Sequence, residues 1–279
     1  MKLYLSVDME GMAGIAHPQF EKEDKVIFRE MYHQQVKWVI EGIQKSKVND
    51  KITEITISDS HALGLHLSYN LLADMDERIS LVSGYPRKDY MMSGLDESHD
   101  LAFFVGYHAG IGEQNGCIDH GYSARAAYNL YINGEYMNET TVNAAYAAEL
   151  GVPVGLIIGD SGLETQLLEK GMMPWVSFVK TKDSLGRYAV KNRPRKQVRE
   201  DTIAKVVEVL ESDYKKLQLY QMKTPAELKI QFYNTAQADK VELLPGTTRH
   251  DGRTVSIVCQ DMKTLINGIV GIVTLAGTE

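Results

Sequence analysis

Cysteine is nearly absent: the 279 residues include two, Cys117 and Cys259. Two cysteines far apart cannot build a disulfide scaffold or a four-cysteine zinc site, and they suit a reducing, cytoplasmic compartment. Long hydrophobic runs are also missing. No stretch approaches the ~18 apolar residues of a membrane span. The most apolar late segment, TLINGIVGIVTLAG, contains Asn267 and three glycines and reads as a buried helix. The first residues enter a strand pattern directly, without the basic and long apolar regions of a signal peptide, so none is expected. Positive charge is in short supply as well. Lys and Arg total 30 against 37 Asp and Glu, a net charge of -7. The one basic stretch, KNRPRKQVR at 191–199, falls short of the basic stripe of a phosphate-backbone binder. The expected partners therefore include no nucleic acid and no membrane.

What is present is an ordinary soluble composition, with 44% hydrophobic and 24% charged residues. The length suits one large domain or two unequal ones. KLYLSVD (2–8), KITEITISD (51–59), ISLVSG (79–84), LAFFVGYH (101–108) and VPVGLIIGD (152–160) read as strands. WVSFVKT reads as one more, and SARAAYNLYING (123–134) as a strand or hairpin arm before the turn Asn133-Gly134. Helical spacing runs from Asp24, an N-cap, to about Lys47, and over 139–150 behind Asn138. Further helices are expected over 161–170 and after Pro194. Strands alternating with helices predict an α/β fold, a mostly parallel sheet flanked by helices. The character changes near Tyr220, which predicts a catalytic domain over 1–220 and a smaller C-terminal αβ domain over 221–279.

In open α/β sheets, ligands collect at the carboxyl ends of strands. The first predicted strand ends in Asp8 and Glu10, the second in SDSH with Asp59 and His61, and the FFVGYH strand in His108. Asp8 and Glu10 are two apart, so in extended chain both side chains point one way and Met9 the other. Two buried like charges raise each other's pKa unless something positive sits between them. A divalent metal answers that need, and carboxylates with imidazoles are zinc ligands that also accept manganese or cobalt. The strand-end position lifts His61 and His108 above His17, His33, His66, His99 and His250, which are read as structural. Asp59 and Ser58 are candidates for orienting His61.

The segment HAGIGEQNGCIDHG (108–121) is Gly-rich and reads as a surface loop. His120 within it is either a proton donor held over the metals or a loop histidine bonded to Asp119. Glu139 opens a helix, where it either favours the helix dipole or reaches the metals. Asn143, one turn on, faces the same side and either helps to hold substrate or lies on the helix surface. Cys117 beside His120 is a weak nucleophile pair, and GMAGIA (11–16) is a weak phosphate loop. The residues alone leave three readings: a metallopeptidase, a metal-dependent hydrolase of another ester, amide or phosphate, and a non-catalytic nucleotide- or small-ligand-binding module.

SVDMEGMAG at the start, SDSH at 58–61, GYHAG at 106–110, DHG at 119–121 and YINGEYMNETTVNAA at 131–145 resemble the DppA-type zinc D-aminopeptidases of peptidase family M55. The likeness runs in order over the first 160 residues, and ELLPGTTRHDGRTV and the last helix continue it. The resemblance implies two zinc ions per subunit. Asp8 would bridge them, Glu10 and His61 would complete one site, and His108 and Glu139 the other. His120 would be the catalytic histidine. It also implies a homo-oligomer, a decameric ring with inward-facing active sites, acting on short peptides with small D-residues at the amino end.

Overall fold

Six apolar segments of the first 180 residues fold as the strands of one sheet. The computed structural model describes residues 1–278. It runs β1 (Lys2–Val7), α1 (Gln19–Glu23), α2 (Lys25–Lys45), β2 (Glu54–Asp59), α3 (Tyr69–Ala73), β3 (Ile79–Val82) and β4 (Leu101–Tyr107). A hairpin of β5 (Ala127–Ile132) and β6 (Glu135–Met137) turns at Asn133-Gly134 and leads into α4 (Glu139–Glu149) and β7 (Val154–Gly159). Next come α5 (Ser161–Glu164), β8 (Ser177–Lys180), the hairpin of β9 (Lys182–Gly186) and β10 (Ala189–Asn192), and α6 (Arg195–Glu211). The last part holds β11 (Ala226–Phe232), α7 (Thr235–Glu242), β12 (Thr247–Arg249), β13 (Thr254–Cys259) and α8 (Met262–Ala276).

Six strands form a parallel sheet in the order β3-β2-β1-β4-β7-β8. Every residue of β4 and β7 is buried. Their sequences are continuous apolar runs because both faces of such a sheet are covered. On one face Leu3, Leu5, Val7, Phe103 and Val105 pack with Phe28, Tyr32, Val36 and Val39 of α2 and with Val206 and Val209 of α6. On the other, Tyr4, Phe104 and Ile157 share a core with α4, α8 and a second, antiparallel sheet. The predicted caps hold: Asp24 Oδ1 accepts from the Ile27 amide at 3.1 Å, and Asn138 and Thr141 close a capping box at the start of α4.

The antiparallel sheet has the order β12-β13-β11-β5-β6. The expected division at residue 220 therefore does not separate two sheets. β11 pairs along its length with β5, so the hairpin at 127–137 and the segment after 220 form one sheet and one core. The change of character near Tyr220 marks the chain's return to the antiparallel sheet, where β11 alternates buried and half-buried residues as a strand of a one-sided sheet does.

Chain order reverses around β1, with β2 on one side and β4 on the other, which is where open α/β sheets bind ligands. Two glycines press these strand ends together. The Asp8 amide donates to the Val105 carbonyl at 2.8 Å, and the Gly11 amide to the Gly106 carbonyl at 2.7 Å. A Cβ on Gly11 would lie 1.7 Å from the Tyr107 carbonyl oxygen, and one on Gly106, whose φ is +77°, 2.2 Å from that of Asp8. The turn after β1 is clamped from the β8–β10 region. Thr181 Oγ1 donates to the Gly11 carbonyl at 2.6 Å, and Asn192 Oδ1 accepts from the Gly14 amide at 2.9 Å. The wholly buried Lys182 ammonium donates to the carbonyls of Glu10, Met12 and Ile15.

Candidate metal centre

The reversal brings together side chains that are about fifty residues apart in sequence. Asp8 directly follows β1, His61 lies two residues beyond β2, His108 directly follows β4, and Glu139 opens α4. His61 Nδ1 lies 3.2 Å from Asp8 Oδ1 and 3.2 Å from Glu10 Oε2. His108 Nε2 lies 3.6 Å from the other Asp8 oxygen, Oδ2, and 3.5 Å from Glu139 Oε2. One carboxylate thus serves two triplets, Asp8–Glu10–His61 and Asp8–His108–Glu139. Ligand atoms about 2.0–2.1 Å from a tetrahedral zinc sit ~3.3 Å apart, close to these separations.

The hydrogen-bond pattern points the same way. Asp8 Oδ2, Glu10 Oε2 and His108 Nε2 are buried and have no hydrogen-bond partner. Leaving such groups unpaired is costly; Asp8 Oδ2 faces His108 Nε2, and Glu10 Oε2 faces His61 Nδ1. His108 Nδ1 donates to the Ala109 carbonyl at 2.8 Å, which leaves the Nε2 lone pair directed at the carboxylates. Burial and the nearby Glu10 push the Asp8 carboxyl well up. Burial works against ionising Glu10 too, but His61 beside it holds its carboxyl well below the usual range. Burial lowers and Glu139 more than restores the basicity of His108, whose pKa rises to about 10. A divalent cation between them would let neighbouring carboxylates ionise together.

His120 hangs over this cluster from the 108–126 connection. Its Nε2 is 4.0 Å from both Glu10 Oε1 and Glu139 Oε1. Its Nδ1 donates to the Ile118 carbonyl at 2.7 Å and not to Asp119, which instead accepts from the Gly112 amide and pairs with Arg187. Ile118 itself sits at φ +51°. A β-branched residue there stores about 1–3 kcal/mol of strain, a feature common at functional sites. The segment is not the surface loop expected from its glycines: Ala109, Gly110 and 116–119 are buried. Its polar backbone is satisfied internally, as in the Ile118 amide's bond to the Arg187 carbonyl at 2.7 Å.

A family model described as Peptidase_M55, D-aminopeptidase, matches residues 1–270. The chain belongs to this family. It is 29% identical over 266 residues to the D-aminopeptidase of Bacillus subtilis (strain 168), covering 94% of this chain and 93% of that one. Its fold superposes on the Zn-dependent D-aminopeptidase DppA of Bacillus subtilis, described as a self-compartmentalizing protease. That match has a TM-score of 0.88 and 27% identity, over 100% of this chain and 99% of the other. The M55 chain is accordingly a metal-dependent aminopeptidase, a hydrolase of peptide bonds. No helix among its described residues is long and apolar enough to cross a membrane.

Three of the other residues singled out in the sequence make contacts different from those expected. Asp59 does not touch His61. Its Oδ2 accepts from the amides of His66 and Leu67 at 2.6 and 2.8 Å, and its Oδ1 from Tyr32 at 3.2 Å, so it ties the 61–67 loop to β2 and α2. Ser58 likewise turns to Arg87, 3.2 Å away. Asn143 is fully buried. It donates to Tyr107 Oη at 2.9 Å and accepts from Tyr122 Oη at 2.6 Å, so its link to a substrate would run through Tyr122. Burial pushes the Cys117 thiol up to about 11, which disqualifies it as a nucleophile.

Two residues escaped the sequence reading. Glu21 Oε2 lies 3.6 Å from His61 Nε2, and Glu21 Oε1 lies 3.0 Å from His66 Nε2. The pairing of two histidines in SDSHALGLH was the available signal for His66. Nothing in the spacing marked Glu21, which arrives from α1.

Proposed function

We propose that this M55 enzyme holds two zinc ions per subunit and removes amino-terminal residues, D-residues among them, from short peptides. The observation that carries the reading is the division of Asp8, with Oδ1 turned to His61 and Oδ2 to His108. Glu10 and His61 would complete one ion's ligands, and His108 and Glu139 the other's, with Asp8 shared. Bound there, zinc would supply a water of lowered pKa and a Lewis acid for the peptide carbonyl.

The protein's own contribution centres on His120. With its Nδ1 proton given to the Ile118 carbonyl, Nε2 is the atom that exchanges protons. Burial, helped by the neighbouring His108, holds its basicity down, which favours the unprotonated ring. It would accept a proton at Nε2 from the water that adds to the peptide carbonyl and return it to the departing amine as the C–N bond breaks, the general acid–base role. Tyr122 donates to Asn143, one turn beyond Glu139 on α4. A cavity of about 240 Å³ opens beside His66, lined by Glu21, Phe28, Arg29, Leu63 and Leu65.

Assembly with further copies of the chain, as a decameric ring, and a cytoplasmic location complete the proposal. The relative described as self-compartmentalizing supports the first. Two free, buried cysteines are in keeping with the second.

The test is a panel of D-Ala, L-Ala and Gly p-nitroanilides, each with chelator and with zinc restored, beside metal analysis of the purified protein. Two zinc ions per chain, chelator-sensitive turnover and a D-Ala preference are expected. Turnover of p-nitrophenyl phosphate with none of the anilides would overturn the peptidase reading, and protein without bound metal or chelator-sensitive activity would overturn the metal centre.

A further inference from the structure

His61 is held by carboxylates at both ring nitrogens. Nδ1 faces Asp8 and Glu10. Nε2 faces Glu21, which reaches in from α1 on the opposite side, with Oε2 at 3.6 Å. The second oxygen of Glu21 is 3.0 Å from His66 Nε2. His66 is fastened in turn: its amide donates to Asp59 Oδ2 at 2.6 Å, and its Nδ1 lies 3.6 Å from Asp59 Oδ1. A chain of contacts therefore runs from the end of β2 through Asp59, His66 and Glu21 to the outer nitrogen of His61.

A neutral imidazole carries one proton. If His61 gives its Nδ1 lone pair to a cation between Asp8 and Glu10, the proton must sit on Nε2, where Glu21 is the acceptor. Metal-bound histidines depend on such an outer carboxylate for ring orientation, tautomer and basicity. We infer that Glu21 is the positioning residue of the metal centre, fixing the tautomer and ring plane of His61, with His66 and Asp59 holding Glu21 in place. This rests on the two-zinc reading above.

Glu21, His61 and His66 present ligand atoms within 4.8 Å of one another, the spacing of a third ion. Chemistry argues for orientation instead. A third ion would need the Nε2 lone pair of His61 as well as Nδ1, which requires a doubly deprotonated ring. It would also have to break the existing Glu21–His66 hydrogen bond.

The experiment compares the full-length parent with Glu21→Ala, Glu21→Gln and His66→Asn. Zinc content is measured, zinc affinity is read by competition with a chromogenic chelator, and the His61 ring nitrogens are followed by NMR of the zinc-loaded protein. In the parent, two zinc ions and a proton on His61 Nε2 are expected. Glu21→Ala should weaken one of the two ions by about 10- to 100-fold. Glu21→Gln, which keeps an acceptor without the charge, should recover part of that loss, and His66→Asn should fall between Glu21→Gln and Glu21→Ala. If Glu21→Ala folds poorly, the Glu21→Gln affinity and the tautomer decide. Parent-like zinc affinity, within twofold, in the Glu21 variants overturns the inference while leaving the two-zinc reading intact. Three zinc ions in the parent, one lost with Glu21, also overturns it. A parent that binds no zinc overturns both.

Discussion

His108 and His120 stack face to face, their ring centroids 4.3 Å apart and their planes 5° from parallel. Each donates its Nδ1 proton to a backbone carbonyl, so both present Nε2 to the carboxylate cluster. Distance separates their roles. His108 Nε2 is within 3.6 Å of Asp8 and Glu139, whereas His120 Nε2 comes no closer than 4.0 Å to Glu10 or Glu139. We expect His120→Phe, which preserves the stack, to retain zinc and lose about 10²–10⁴-fold in kcat. His108→Phe should lose zinc itself. Metal analysis alongside kcat checks both, and parent-like turnover in His120→Phe would remove that residue from the chemistry.

On the proposed two-zinc reading Asp8 is the shared ligand, so its replacement should differ from that of any neighbour. Asp8→Asn is expected to weaken both ions, whereas Glu10→Gln should weaken one. The same change should leave the metal-free protein as stable as the parent or more so, because burial and Glu10 both oppose the ionised form of Asp8. Loss of function with undiminished stability is the signature of a residue kept for its ligand. Thermal unfolding after chelation, with zinc titration of the same samples, provides the readout. A clear fall in the chelated protein's Tm would show Asp8 to be structural.

Much of this centre was legible in the sequence, for a physical reason. Strands declare themselves by apolar runs, and a polar residue directly after such a run lies at the sheet's edge. Asp8, His61 and His108 follow from that rule, and the family likeness supplies Glu139 and His120. What stayed hidden depends on side-chain direction. Asp59 ends β2 as expected but turns towards Tyr32 and the 66–67 amides, a choice no periodicity encodes. Glu21 sits on a five-residue helix with no buried residue, so no pattern distinguished it from a solvated glutamate. The pairing of β11 with β5 spans about a hundred residues of chain, and composition is silent on which strand a one-sided sheet adopts as neighbour.

Lys182 is the clearest case of a residue whose role only the fold reveals. It is wholly buried, and its ammonium serves three carbonyls of the turn that carries Glu10. Burial pulls its pKa down, and the carbonyl cage satisfies its protons. Lys182→Met would fill similar space and leave the carbonyls of Glu10 and Ile15 unpaired, while that of Met12 keeps the Ile15 amide at 3.4 Å. At about 1–3 kcal/mol for each unsatisfied group, the metal-free variant should lose ~2 kcal/mol or more. Urea unfolding of the chelated proteins measures this, and a midpoint equal to the parent's would mean that water reaches the turn.

The surface beside the metal centre makes the last expectation. Val26 and Ile27 at the start of α2, Leu63 and Leu65 in the loop after His61, and Tyr69 and Leu71 in α3 are 48–78% exposed. Val26 and Leu71 border one cavity, Leu63 and Leu65 a second, and Lys25 and Arg29 line both. An apolar patch of this kind, rimmed by Lys25, Arg29 and Lys37, is the surface a protein covers with a partner. A second copy of the chain is the occupant that the assembly proposal names, and the patch adjoins the loop that carries His61. Burying it between copies would therefore brace that loop while narrowing the approach to the site. The double change Leu65→Glu and Leu71→Glu should reduce the mass seen by light scattering towards that of a single 31.3 kDa chain. Each glutamate would otherwise be buried unpaired in the interface. An unchanged assembly would place the contact on another face.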